Sequence, residues 1–214
     1  MKNYIVLLFY KYVPVKDPEV LKLEQLKLCE SLNLKGRIII AKEGINGTVE
    51  GIKLKTKRYI TQMQKDPRFK DIHFKKSEGT GSAFPKLSVK VKDEIVSGHL
   101  GERDINPGKT TGKYLTPEDL HEWFKDGKKF YIVDMRNDYE HEIGYFKNSV
   151  LAPFQNFRDL PKVLEKLRDI KDQTVLTVCT GGVRCEKASG FLVENGFKDV
   201  YHLRYLQGLC EHTL

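Results

Sequence analysis

The stretch Val175-Leu176-Thr177-Val178-Cys179-Thr180-Gly181-Gly182-Val183-Arg184-Cys185 constrains the fold of this chain more than any other. An apolar run, a cysteine, two glycines, an arginine and then helix-forming sequence predict a buried strand that ends in a tight loop and re-enters as a helix. Gly181 and Gly182 let the chain curl with backbone N–H groups turned inward. Those donors, together with the positive N-terminus of the following helix, favour a sulfur anion at Cys179. A thiol that ordinarily titrates near pH ~8.5 then carries a larger thiolate fraction at neutral pH. The loop therefore reads as a nucleophile site at the carboxyl end of a strand, where open α/β sheets place their ligands.

The surrounding pattern agrees with such a sheet. Thr116-Pro117-Glu118-Asp119 predicts a helix start, with proline in the first turn and acids near the positive end. Phe130–Asp134 predicts a buried strand, Leu160–Leu167 is amphipathic, Thr174–Val178 is a strand, Cys185–Asn195 a helix ending at Gly196, and Val200–Leu203 a last strand. Strands alternating with helices imply a parallel sheet. The first half has a different order. Tyr4–Tyr12 reads as a strand, and Asp17 caps a helix whose apolar face is Leu21, Leu23, Leu26, Leu28 and Leu32. Arg37–Ala41 is a second strand, and Gly44-Ile45-Asn46-Gly47 a tight connection into a third. A basic helix spans Leu54–Gln64, and extended segments lie near Ile72–Phe74 and Leu87–Val91. Strand, helix, strand, strand, helix, strand is the ferredoxin-like order. The expected fold class is thus α/β overall. An α+β ferredoxin-like domain over residues 1–97 is followed by a glycine-rich linker over 98–115 and a parallel-sheet α/β domain over 116–214.

The charge separates along the same line. The chain carries a formal net charge of +8. Residues 1–100 hold 20 Lys/Arg against 11 Asp/Glu, whereas residues 101–214 hold 17 against 18. A first half with the whole cationic excess has two readings, a polyanion-binding surface or a merely solvated one. No apolar stretch approaches the ~20 residues needed to cross a bilayer. The apolar segment Ile5–Phe9 has one early lysine and no small-residue cleavage site, so a first strand is the expectation rather than a signal peptide. The four cysteines, Cys29, Cys179, Cys185 and Cys210, form neither a disulfide framework nor a zinc ribbon, and a reducing cytoplasm fits them.

Other residues bear on the chemistry of the loop. Four residues separate Cys179 from Arg184, where a tyrosine-phosphatase loop has five, and Val178 stands where such loops carry histidine. The shorter ring suits a small group on sulfur better than a phosphate. Cys185 reads either as a resolving thiol or as a small apolar residue packed under the loop. Cys29 belongs to the leucine-rich helix and its core. Asp134 and Arg136 are expected to form a structural ion pair that pins loops, with pocket lining as the alternative. The segment Glu140–Tyr145 reads as a bend rather than acid–base machinery. His141-Glu142 lacks the second spaced histidine of a metal-binding helix, so no metal site is expected.

Taken together, Val133–Arg136, Tyr139–Phe146 and Cys179–Cys185 resemble a rhodanese domain, over roughly residues 116–204. Leu34–Arg37, Glu43–Thr48, Phe84–Lys90 and Thr111–Leu115 resemble one rhodanese subfamily, in which a ferredoxin-like (acylphosphatase-like) domain comes first: the oxygen-dependent tRNA uridine-34 hydroxylases. The resemblance implies Cys179 as the catalytic residue. Thr180, Gly181, Gly182, Val183 and Arg184 become its substrate-binding cradle, and Cys185 the second loop cysteine. It also implies hydroxylation of the wobble uridine at C5, dioxygen as co-substrate, and tRNA as the partner of the basic half. No flavin fingerprint or iron triad is evident, so no bound cofactor is expected. The alternatives are a sulfurtransferase carrying a persulfide on Cys179 and a non-enzymatic RNA-binding module. The family's Gly-Gly-Ile turn and cysteine-containing tail are not matched after His202-Leu203, which puts any tail-dependent metal site or substrate contact outside the expectation.

Overall fold

A computed structural model of the chain describes residues 3–101 and 105–203. The altered turn, Cys210 and the expected lack of a tail all fall outside the described residues. Contacts divide the chain into two units, Met1–Ile95 and Val96–Leu214.

In the first unit, β1 (Tyr4–Tyr12), α1 (Pro18–Ser31), β2 (Lys35–Ala41), β3 (Gly44–Ile52), α2 (Lys53–Met63), β4 (Phe74–Gly79) and β5 (Leu87–Val91) follow in order. The sheet order is β4-β1-β3-β2-β5, with β5 parallel to β2 and the other pairs antiparallel. The first four of these strands keep the ferredoxin-like arrangement, and β5 extends its edge. Asp17 caps α1 as expected, accepting from the Glu19 and Val20 N–H groups at 3.1 Å. The buried stripe of α1 differs from the leucine count, however. It runs Leu21, Gln25, Cys29 at four-residue spacing, while Leu23 is 63% exposed. Gln25 is tolerated in the core because both ends of its amide are satisfied. The Tyr59 hydroxyl donates to it at 2.7 Å, and it donates to the Met63 sulfur at 3.0 Å.

The glycine-rich element is also corrected. The tight turn is Lys42–Glu43, and Gly44 to Thr48 already lie in β3. Only Gly44 there has positive φ, at 151°. Gly47 is needed for space instead, since a Cβ would meet the Phe9 ring at 2.6 Å. A Cβ on Gly44 would sit 2.0 Å from the Lys11 carbonyl oxygen, which is backbone and unable to yield. Gly44→Ala is therefore expected to lower unfolding free energy by about 2–4 kcal/mol. Gly127→Ala, at φ 63° with open space around it, should cost only about 1 kcal/mol. Urea titration followed by far-UV circular dichroism measures both.

The second unit contains β6 (Lys113–Leu115), α3 (Pro117–Lys125), β7 (Tyr131–Asp134), α4 (Asp138–His141), β8 (Val150–Leu151), α5 (Val163–Lys166), β9 (Thr174–Val178), α6 (Val183–Glu194) and β10 (Asp199–Leu203). Its sheet is parallel at every described pairing, in the order β6-β10-β9-β7-β8. A capping box at Thr116 and Asp119 starts α3. The amphipathic stretch near Leu160 is split into a 3-10 turn, Phe157–Lys162, and α5, with Pro161 inside the turn. The stretch predicted as a linker over 98–115 packs onto this unit. Ile105 joins its core, the Gly112 N–H donates to the Ser189 hydroxyl at 2.9 Å, and β6 forms the sheet edge. Gly190 permits this contact, because a Cβ there would lie 2.3 Å from the Thr110 carbonyl oxygen. Among the described residues, no helix is long and apolar enough to cross a membrane.

Candidate active site

β9 lies between β10 and β7, and Val175 to Val178 are all buried. The strand therefore delivers Cys179 to the carboxyl end of a covered sheet, where it is 1% exposed. Gly182, at φ 94°, takes the left-handed conformation that turns the chain into α6. Gly181 needs no positive φ, so one glycine makes the turn. The Gly182 N–H donates to the Cys179 sulfur at 3.1 Å. Burial alone pushes this thiol up. It is outweighed by a hydrogen bond from the Cys185 thiol, the charge of Arg184, and the N–H groups of Cys185 and Gly182, which together bring Cys179 down to about 6. At neutral pH the sulfur is mainly thiolate.

Cys185 is fully buried and is not in a disulfide. Burial and the neighbouring Cys179 sulfur push its thiol well up, so it stands as the neutral donor beside the Cys179 anion. Thus it is packed under the loop and in contact with the Cys179 sulfur at once. Cys29 is core, with its thiol pushed up to about 12, chiefly by burial.

The remaining loop residues turn towards a partner that sequence reasoning missed. Arg184 makes a two-armed pair with Glu140, Nη1 to Oε1 at 2.5 Å and Nη2 to Oε2 at 2.8 Å. The Thr180 hydroxyl donates to Glu140 Oε2 at 2.9 Å and accepts from Arg184 Nη2 at 3.1 Å. The Asn137 N–H adds a further bond to Oε1 at 3.1 Å. Burial raises the Glu140 carboxyl, but Arg184, Asn137 and Thr180 overcome it and hold the group near 2. The expectation that Glu140–Tyr145 is only a bend is corrected accordingly: Glu140 neutralises the loop's arginine. The available sequence signal was an acid at the start of a short helix, which is ordinary by itself. Val183 is the first residue of α6 and half-buried.

Asp134 and Arg136 form the expected structural pair, 1% and 8% exposed. Arg136 Nη2 reaches Asp134 Oδ2 at 2.6 Å, and the same guanidinium donates to the Gly144 carbonyl at 2.6 Å and the Glu140 carbonyl at 3.2 Å. The end of β7 thereby pins the 140–144 backbone that carries the Glu140 carboxylate. Among the described residues, no three His, Cys, Asp or Glu side chains converge to hold a metal ion.

Comparison with known proteins agrees with this two-unit layout. The UPF0176 acylphosphatase-like domain matches residues 4–95, and the rhodanese-like domain matches residues 116–205. A protein of Staphylococcus carnosus named tRNA uridine(34) hydroxylase is 48% identical over 202 residues, which is 94% of this chain and 63% of that protein. A protein of the same name from Bacillus licheniformis is 46% identical over 205 residues, 95% of this chain and 63% of its own length. Among solved structures, a rhodanese-like domain protein from Staphylococcus aureus overlaps 44% of this chain and 85% of its own, at 30% identity and a TM-score of 0.38. This chain spans about 63% of the length of those two named relatives. Both domain models are matched in the same order, a UPF0176 acylphosphatase-like domain before a rhodanese-like domain, and across nearly its whole length the chain is similar to those two proteins named tRNA uridine(34) hydroxylase.

Proposed function

We propose that this chain hydroxylates uridine-34 of tRNA at C5, in the cytoplasm, with Cys179 as the nucleophile. The observation that carries the proposal is the pairing of Arg184 with Glu140 beside a thiol brought down to about 6. An incoming anion such as thiosulfate or phosphate would have to compete with the Glu140 carboxylate for Arg184, whereas a neutral electrophile such as the uracil ring would not. Relatives bearing the hydroxylase name supply the substrate.

In this reading the Cys179 thiolate adds to C6 of the ring, and the electron pair moves through C5 onto the C4 carbonyl. C5 becomes nucleophilic and is oxidised, after which loss of the C5 proton and expulsion of the thiolate restore the ring. Dioxygen is the proposed oxidant. Delivery of one of its atoms takes two electrons and two protons from two external thiols, which are oxidised to a disulfide, and releases the other atom as water. The Gly182 and Cys185 N–H groups hold the sulfur ready as an anion and receive it again as leaving group. Since Cys179 is 1% exposed, the base enters only as the cradle opens. A wobble base in a single-stranded loop is already available for such entry.

Nucleoside mass spectrometry of tRNA from cells lacking the protein, complemented with wild type or Cys179→Ser, tests this. Wild type is expected to restore 5-hydroxyuridine-derived wobble bases, and Cys179→Ser to restore less than about 1% of them. Unchanged tRNA, with cyanide-releasable sulfur on Cys179, would overturn hydroxylation in favour of sulfur transfer.

A further inference from the structure

The charge excess of the first unit has an address in the fold. From Gly51 to Lys65 the sequence contains five cations and no acid, and α2 occupies most of it. Thr56, Tyr59 and Met63 bury one side of this helix in the core, so its other side is held rigidly outward. Lys53, Lys57 and Arg58 are exposed on it, and Leu54 is 59% exposed. Three other cations of this unit are paired: Lys11 with Asp71, Lys22 with Glu19, and Arg68 with Asp66. Among the described residues, the side chains of Lys53, Lys57 and Arg58 have no carboxylate partner.

Between α1 and α2 lies an open groove of about 620 Å³. Leu54, Lys57, Arg58 and Thr61 line it from α2, Leu28 and Ser31 line it from α1, and no carboxylate reaches it. The combination of fixed cations, hydroxyls and apolar side chains matches a sugar–phosphate backbone. Lysine and arginine meet phosphates, hydroxyls meet phosphate or 2′-OH oxygens, and leucines lie against ribose. A compensated surface would repel nothing and attract nothing, whereas three unpaired cations on consecutive helical turns attract a polyanion through a salt-dependent term.

We propose that the exposed face of α2, with its groove against α1, is the surface on which the tRNA backbone docks. It positions the RNA by phosphate contact and carries no base reading of its own. The assignment rests on tRNA being the substrate, as proposed above, but it can fail separately.

Binding of an unmodified tRNA transcript to the full chain, measured by fluorescence anisotropy between about 50 and 300 mM salt, tests it. In the Lys53→Ala/Lys57→Ala/Arg58→Ala variant, affinity at the lowest salt is expected to fall at least about tenfold. The slope of log K against log salt should shrink by about 2–3. The rate of Cys179 alkylation should stay within about twofold of wild type, since α2 belongs to the other unit. An unchanged slope alongside tight wild-type binding overturns the α2 surface and leaves hydroxylation standing. Preferential wild-type binding to phosphatidylserine vesicles overturns RNA as the occupant. If wild type binds tRNA through these three residues yet forms no 5-hydroxyuridine, the surface holds and the hydroxylation proposal falls.

Discussion

Arg184→Met is expected to raise the pH midpoint of Cys179 alkylation from about 6 by about 1–3 pH units. Two effects add. The substitution removes the cation that favours the thiolate, and it leaves the Glu140 carboxylate uncompensated beside the sulfur. At pH 7 the wild-type sulfur is mainly anion, while in the variant it becomes mainly thiol, and reactivity towards iodoacetamide falls by about tenfold or more. Glu140→Gln separates a field effect from scaffolding. If Arg184 acts through its charge, losing the nearby anion leaves the midpoint at or below its wild-type value. If the pair only shapes the loop, both substitutions raise it. An Arg184→Met midpoint that stays near 6 would assign the thiolate wholly to the Cys185 and Gly182 donors. Cys29, pushed up to about 12 within the core, should remain silent throughout.

The same values set the acid behaviour of the site. Glu140 is depressed from 4.5 to about 2 in the folded chain, so its contribution to stability is fully present above 4.5 and is lost as pH falls towards 2. Cys179 is depressed from 9.0 to about 6, so its linked contribution is present above 9.0 and declines as pH falls through 6. Between those windows, near pH 5, the ion pair persists although the thiolate is largely protonated.

Arg136→Ala carries the largest expected loss of stability, about 3–5 kcal/mol. It leaves Asp134, 1% exposed, as a buried anion without its two-armed partner. It also removes the donors to the Glu140 and Gly144 carbonyls, so the backbone that carries the Glu140 carboxylate loses its anchor. Guanidinium titration reads the first effect, and hydrogen exchange over residues 137–146 the second. Replacing both members, Asp134→Asn with Arg136→Met, should recover a substantial part of the lost stability, because no lone charge is then buried. Arg136→Lys keeps the charge but cannot span two carbonyls and a carboxylate together. It should stabilise more than alanine but leave the loop loosened. A loss below about 1 kcal/mol for Arg136→Ala would show that water reaches Asp134 readily and that the pair pins little.

Much of the architecture was legible because local chemistry and burial agree there. β1 and β9 coincide with their apolar runs, Tyr4–Tyr12 and Thr174–Val178, and α1 and α3 begin at the caps read from Asp17 and Thr116. The failures have specific causes. Counting leucines put Leu23 inside and left out Gln25, since hydrophobicity alone does not foresee an amide satisfied by Tyr59 and Met63. Gly47 looked like a turn residue, yet it is small because the Phe9 ring from β1 crosses over it. The glycine-rich stretch at 98–115 looked like a linker, although Ile105, Gly112 and the cavity offered by Gly190 fasten it to α6 and the second core.

By itself, the sequence determined the strand–loop–helix around Cys179, the parallel sheet beneath it, and the basic character of the first half. Each follows from interactions within a few residues or from composition. Only the tertiary structure decided that Glu140, 44 residues before Arg184, pairs with the loop's arginine. It also decided that, among the described residues, Lys53, Lys57 and Arg58 of α2 have no carboxylate partner. Charge is written residue by residue, but its effect depends on which opposite charge lies within a few ångströms, and that distance is set by the packing of segments far apart in the chain.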